Sequence, residues 1–81
     1  MVVAIDFFGK QRSLARTGKI EMKLPEHSRI SDVLKFVKDK YPEIPLSDNS
    51  ITVTVNQKIS SLDSRLNDSD NVSFLPHIGG G

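Results

Sequence analysis

The chain has 81 residues, with 11 Lys+Arg against 10 Asp+Glu, 37% hydrophobic residues and no cysteine. That length holds a single domain, which buries only about 60% of the surface its unfolded chain exposes. A formal net charge of +1 excludes a nucleic-acid binder driven by bulk electrostatics. Without cysteine, disulfides and Cys-based metal sites are excluded, so stability must come from paired strands and one compact apolar cluster.

Val3, Ile5 and Phe7 alternate with Val2, Ala4, Asp6 and Phe8, the period-2 signature of a strand, and Gly9 ends it. Residues 9–18, with Lys10, Arg12, Arg16 and Gly18, read as a connection to a second strand, in which Ile20, Met22 and Leu24 alternate with Glu21 and Lys23. Pro25 stops that strand, and the two predict a hairpin. Residues 30–40 are the one segment that reads as a helix. Ser31 is the expected N-cap with Ile30 as a staple, Asp32 suits the first turn, and Lys38 and Lys40 suit the last. Val33, Leu34 and Val37 supply its apolar stripe, and Pro42 ends it at Tyr41.

Pro45 and residues 47–50 read as a loop. Ile51, Val53 and Val55 alternate with Thr52 and Thr54 as a β-branched strand. Asn56-Gln57 predicts a turn, Lys58-Ile59 a short strand, and residues 60–70 a polar, turn-rich stretch. Val72 and Phe74 alternate with Ser73 and Leu75 in a last strand. The order is β-β-α-β-(β)-β, and one amphipathic helix covers only one face of such a sheet. The first and last strands are the most hydrophobic and are expected side by side at the centre. The fold class is therefore α+β, a β-grasp (ubiquitin-like) roll with a mixed four- to five-stranded sheet on one main helix. The domain spans 1–75, and 76–81 is expected to be a flexible tail.

No apolar run approaches the roughly 18 residues a membrane span needs. The first six residues lack the basic start of a signal peptide, so a cytoplasmic protein that binds neither membrane nor nucleic acid is expected. Two glycosylation sequons, at Asn67 and Asn71, are accordingly read as unused. Enzyme signatures are missing too: there is no nucleophile elbow, Walker loop or dinucleotide-binding glycine motif. His27 and His77 lie fifty positions apart, and a metal site or a Ser-His-Asp relay would need partners the sequence does not suggest. Asp68 and Asp70 fail the calcium-loop pattern, because Ser73 and Gly79 stand where it wants Gly and Glu. Lys35, Lys38 and Lys40 fit a solvated helix face as well as an acidic partner.

The last residues stand apart. At an average glycine usage of about 7%, a chance Gly-Gly at the very end is roughly a one-in-200 event, and here Gly79, Gly80 and Gly81 are consecutive. Lacking Cβ atoms, glycines let a backbone thread a narrow channel and present a terminal carboxylate to another protein's site. Six extended residues from Pro76 reach about 20 Å. If Val3, Ile5 and Phe7 face the helix, Phe8 points away; if Val72 and Phe74 face it, Leu75 points away just before the tail. Phe8, Leu75 and Ile59 are thus expected to form an apolar docking patch on the open sheet face, against the alternative of scattered surface hydrophobes.

Val55-Asn56-Gln57, Leu66-x-Asp68-x-Asp70-x-Val72 and Pro76-x-Ile78-Gly79-Gly80-Gly81, with the Phe7-Phe8 pair and Arg12, resemble the small subunit of molybdopterin synthase, the MoaD-like sulfur carriers. The likeness spans essentially the whole chain. Departures are Ser69 where the turn normally has Gly, Asn71 for an acidic residue, His77 for a second Pro, and Gly79 for Ser or Thr. The resemblance implies a β-grasp fold and a carrier cycle. An activating enzyme (MoeB-like) converts the Gly81 carboxylate to an acyl-adenylate with ATP and Mg²⁺, and a sulfur donor protein then displaces AMP to leave a thiocarboxylate. The tail, Pro76, Ile78, Gly79 and Gly80 leading to Gly81, enters the synthase large subunit (MoaE-like), where sulfur passes to the cyclic pyranopterin precursor. On this reading the chain binds no cofactor or metal itself, and Gly81 is its one reacting residue. It is a sulfur-donor subunit with no catalytic side chains. The alternatives are an archaeal-type modifier conjugated to lysines through Gly81, a carrier for tRNA thiolation or thiamine synthesis, and a binding module that uses the sheet face alone.

Overall fold

The structure, a computed structural model, describes residues 1–46 and 51–76. Five strands form one mixed sheet: β1 (Val2–Asp6), β2 (Lys19–Lys23), β3 (Ile51–Val55), β4 (Lys58–Ser60) and β5 (Asn71–Pro76). Their order across the sheet is β2-β1-β5-β3-β4. β1 runs antiparallel to β2 and parallel to β5, with Asp6 opposite Lys19 on one side and Ser73 on the other. The first and last strands are therefore central neighbours, as their hydrophobicity predicts. β5 runs to Pro76, opposite Ile51, one residue beyond its apolar alternation.

One face of the sheet is dry. Val3 and Ile5 of β1, Val53 of β3, and Val72 and Phe74 of β5 are buried against Ile30, Val33, Leu34 and Val37 of the long helix α2 (Ile30–Lys40). Phe7 continues that face and meets the Tyr41 ring edge-on at 5.4 Å. This arrangement is the ubiquitin-like β-grasp roll that the alternation and the single amphipathic helix predict.

Two local expectations need correction. The N-cap of α2 is Arg29, not Ser31, and Ile30 is the first helical residue rather than a staple. The reason is that the first-turn N–H groups already have partners: Ile30 N–H donates to the Ser64 carbonyl and Ser31 N–H to that of Leu62. No side-chain acceptor is required at residue 31, while the Asp32 carboxylate reaches back to Arg29 N–H at 2.9 Å. The second correction is the stretch 9–18, read as plain connection, which contains a short helix α1 (Lys10–Ala15). Gln11, Leu14 and Ala15 follow the i, i+3, i+4 pattern of a buried stripe, and Gln11 and Ala15 are buried. Six residues without a capping side chain give too weak a periodicity to announce themselves.

Candidate functional site

The region that sequence reasoning singles out is the root of the glycine tail. Residues 77–81, including His77, Ile78, Gly79, Gly80 and Gly81, lie outside the described residues. Their approach, the last half of β5 and its surroundings, is described.

On the open face, side chains form rows set by strand register. One row runs Lys19, Asp6, Ser73, Thr54 and Ile59 across the five strands. The next pairs Leu75 of β5 with Thr52 of β3. Phe8, just past the end of β1, is half exposed. Phe8 and Leu75 line one concavity of about 520 Å³, together with Asp6, Asn56, Asn71 and Ser73. The structure thus brings Phe8 and Leu75 together at the tail root. Ile59 is 81% exposed and stands on β4, two strands away from β5, outside that concavity.

The floor of the concavity is polar and tightly bonded. Asn71 Nδ2 donates to Asp6 Oδ2 at 2.6 Å, and Lys19 Nζ lies 3.8 Å from the other Asp6 oxygen. Asn56 follows β3 in a turn where both Asn56 and Gln57 have positive φ, 52° and 71°, as a two-residue type I′ hairpin to β4 requires. That turn aims the Asn56 side chain back across β5: its Oδ1 accepts Asn71 N–H at 3.0 Å, and its Nδ2 donates to Asp70 Oδ1 at 2.9 Å. Asp70, buried, also accepts Asn67 N–H at 2.8 Å, and Asp68 Oδ1 accepts Val2 N–H at 2.7 Å. Both aspartates that invited a calcium reading therefore serve as caps for backbone and amide donors. Among the described residues no three His, Asp or Glu side chains gather to hold a metal ion, and every buried side-chain nitrogen or oxygen has a partner.

His27 is exposed in the turn after β2. Of the helix lysines, Lys40 Nζ lies 5.7 Å from the Phe36 ring centroid and 5.9 Å from that of Tyr41, so its charge is engaged on its own helix end. The residue that sequence reading passes over is Gln11. It is only 7% exposed, and its Nε2 donates to the Phe74 carbonyl at 2.6 Å, two residues before the end of β5. The available signal was its place on the α1 stripe with Leu14 and Ala15.

The sheet thus carries a polar-floored hollow with Phe8 and Leu75 on its apolar side, beside the extended C-terminal strand β5. The sequence matches the ThiS family over residues 5–81. It is 31% identical over 81 residues to the molybdopterin synthase sulfur carrier subunit of Drosophila yakuba, covering 98% of this chain and 90% of that one. The small archaeal modifier protein 1 of Methanosarcina acetivorans superposes with a TM-score of 0.80 at 25% identity, over 99% of this chain and 96% of that chain. A Helicobacter pylori complex of subunits 1 and 2 of molybdopterin-converting factor contains a chain of the same fold, with TM-score 0.70, 21% identity and full coverage of both chains.

Proposed function

Because the chain belongs to the ThiS family of ubiquitin-like sulfur carriers, we propose that it is the sulfur-carrier subunit of a molybdopterin synthase and that Gly81 is the atom-bearing end of its cycle. The single observation that carries the reading is the 31% identity to such a subunit over 98% of the chain.

A carboxylate is a poor electrophile. In the proposed cycle the Gly81 carboxylate oxygen attacks the α-phosphorus of ATP in the activating enzyme, pyrophosphate leaves, and an acyl-adenylate forms. Hydrosulfide then adds to the acyl carbon, AMP departs, and loss of the S–H proton leaves the thiocarboxylate. This chain contributes the reacting terminus and the docking platform. The acid, base and oxyanion groups belong to the partners. Phe8 and Leu75 are the apolar contacts nearest the tail. The partner is a synthase large subunit, by analogy with the two-subunit complex of the Helicobacter pylori relative.

The test is the intact mass of the chain after incubation with a MoaD-type activating enzyme, Mg-ATP and sulfide. Exchange of one oxygen for one sulfur, abolished by deletion of Gly80 and Gly81 with an unchanged Tm, is the expected result. An unmodified mass beside a converted control carrier overturns the reading. The likeness to the archaeal modifier favours a second reading in which the same acyl-adenylate passes to lysine amines. An isopeptide-linked target, rather than sulfur released to a pterin, would decide for it.

A further inference from the structure

The ladder between β1 and β5 stops in an unusual way at the tail root. Ala4 N–H donates to the Asp70 carbonyl at 2.9 Å, and parallel pairing advances two residues per bond on each strand. Continued through Asp6 and Val72, the series places Phe8 N–H opposite the Phe74 carbonyl. That bond is replaced. The Gln11 amide stands between them, donating from Nε2 to the Phe74 carbonyl at 2.6 Å and accepting Phe8 N–H on Oε1 at 3.5 Å.

The sequence explains how the side chain arrives there. Gly9 has φ 56° and ψ −128°, and Gln11 N–H donates to the Phe8 carbonyl at 3.1 Å. These are the features of a type II′ turn, whose first central position belongs to glycine. The turn peels β1 away from β5 and starts α1, and its fourth residue is Gln11. One side-chain amide, mimicking a peptide unit, thus fills the place of the departing strand. The next β5 residue to face that side is Pro76, which has no N–H to offer. Among the described residues, the Gln11 amide is the last hydrogen-bonding support on the β1 side before the tail.

Resting on the carrier reading above, we infer that Gln11 is a positioning residue for Gly81 chemistry: its amide on the β1 side, with the β3 ladder on the other, fixes the lateral spacing of the last β5 residues, Phe74 to Pro76, from which the chain continues to Gly81. It touches no reacting atom. Its effect falls on the rate of the activated complex, because misplacement of a reacting end by about 1 Å costs up to 100-fold.

The experiment uses the full chain as wild type, Gln11→Met, which keeps volume but removes donor and acceptor, and Gln11→Glu, which keeps the acceptor and loses the donor. NMR reads the through-hydrogen-bond coupling between Gln11 Nε2 and the Phe74 carbonyl carbon, and the amide shifts of every strand. Steady-state adenylation by a MoaD-type activating enzyme, with the carrier concentration varied up to saturation, reads kcat separately from KM. Expected are a coupling in wild type, shift changes in both variants confined to Phe8, Phe74 and Leu75, and a kcat lowered about 10-fold or more with KM nearly unchanged. Gln11→Glu falls further, because it sets a second acceptor against the Phe74 carbonyl. Shift changes spread over the whole sheet, or a lowered Tm with kcat intact at a temperature where the variants are folded, would make Gln11 a stability residue only and overturn the inference. Failure of the wild type itself to be adenylated overturns both the carrier reading and the Gly81 role, while the coupling still reports whether the amide occupies the ladder.

Discussion

At its amino-terminal end β5 is tied in by four bonds that involve side chains: Asn56 to Asp70, Asn67 N–H to Asp70, Asn71 N–H to Asn56, and Asn71 to Asp6. At its carboxyl-terminal end, among the described residues, one side-chain bond does the corresponding work, from Gln11 to the Phe74 carbonyl. Beyond its ladder with β3, which runs to Pro76, the same strand has several side-chain ties where the chain enters the sheet and a single amide where it leaves. Redundancy at the entry fixes register, and a one-residue slip would move Val72 and Phe74 out of the core. A single side-chain contact on the β1 side of the exit leaves the end of β5 adjustable there without rebuilding the sheet. Damage to the entry end should therefore appear as lost stability, and damage to the exit end as lost carrier chemistry.

The largest stability effect is expected at the entry. Asp70→Ala removes the acceptor for Asn56 Nδ2 and Asn67 N–H in a buried setting, which costs about 2–3 kcal/mol. Urea denaturation would show it as a lower midpoint with little change in slope. Adenylation kcat, measured at a temperature where the variant is folded, should match wild type. A loss of kcat as large as that of Gln11→Met would erase the distinction between the two ends.

Gly9→Ala is the corresponding lesion at the exit. A Cβ at this position meets nothing within 4 Å, so its cost is backbone strain alone, about 1–2 kcal/mol for a side chain forced to this positive φ. D-alanine at position 9 suits the same φ and should restore stability. Because the turn delivers Gln11 to β5, Gly9→Ala should also lower adenylation kcat, and the D-alanine chain should recover it. Recovery of stability without recovery of kcat would separate the turn from the positioning of the tail.

The sequence made the architecture legible where periodicity and burial coincide. Val3, Ile5, Val53, Val72 and Phe74 all read as inward-facing and are all buried, so strand identity, the central pairing of β1 with β5 and the helix-covered face follow from alternation. Phe8 and Leu75 read as outward by the same parity and do share a concavity. Ile59 could not be placed that way, because its distance from β5 depends on β4 lying at the sheet edge. What periodicity cannot show is where a lone polar side chain substitutes for backbone. Ser31 lost its capping role to the carbonyls of Leu62 and Ser64, which are distant in sequence. Gln11 took the place of a strand, sixty-three positions from its acceptor. Such contacts are set by tertiary geometry, and local propensity carries no trace of them.

The smallest effect expected lies at the entry end and has the opposite sign. Ser69 follows Asp68 in the turn that feeds β5 and adopts φ 71°, a left-handed conformation that costs an ordinary side chain about 1–2 kcal/mol. Its backbone N–H donates to the Val2 carbonyl at 2.7 Å, so the turn cannot relax without breaking a contact to β1. Ser69 Oγ makes one long bond, 3.4 Å to Asp68 Oδ2, in an exposed setting, which returns little. Ser69→Gly relieves the strain and gives up about 0.5–1 kcal/mol to the greater freedom of an unfolded glycine. The balance is a gain of about 0.5 kcal/mol, read as a slightly higher urea midpoint. Adenylation should be untouched, since the entry end is already over-determined. A destabilised Ser69→Gly chain would mean that the exposed hydroxyl contact outweighs the strain, and that this turn is held by its side chains rather than by its backbone.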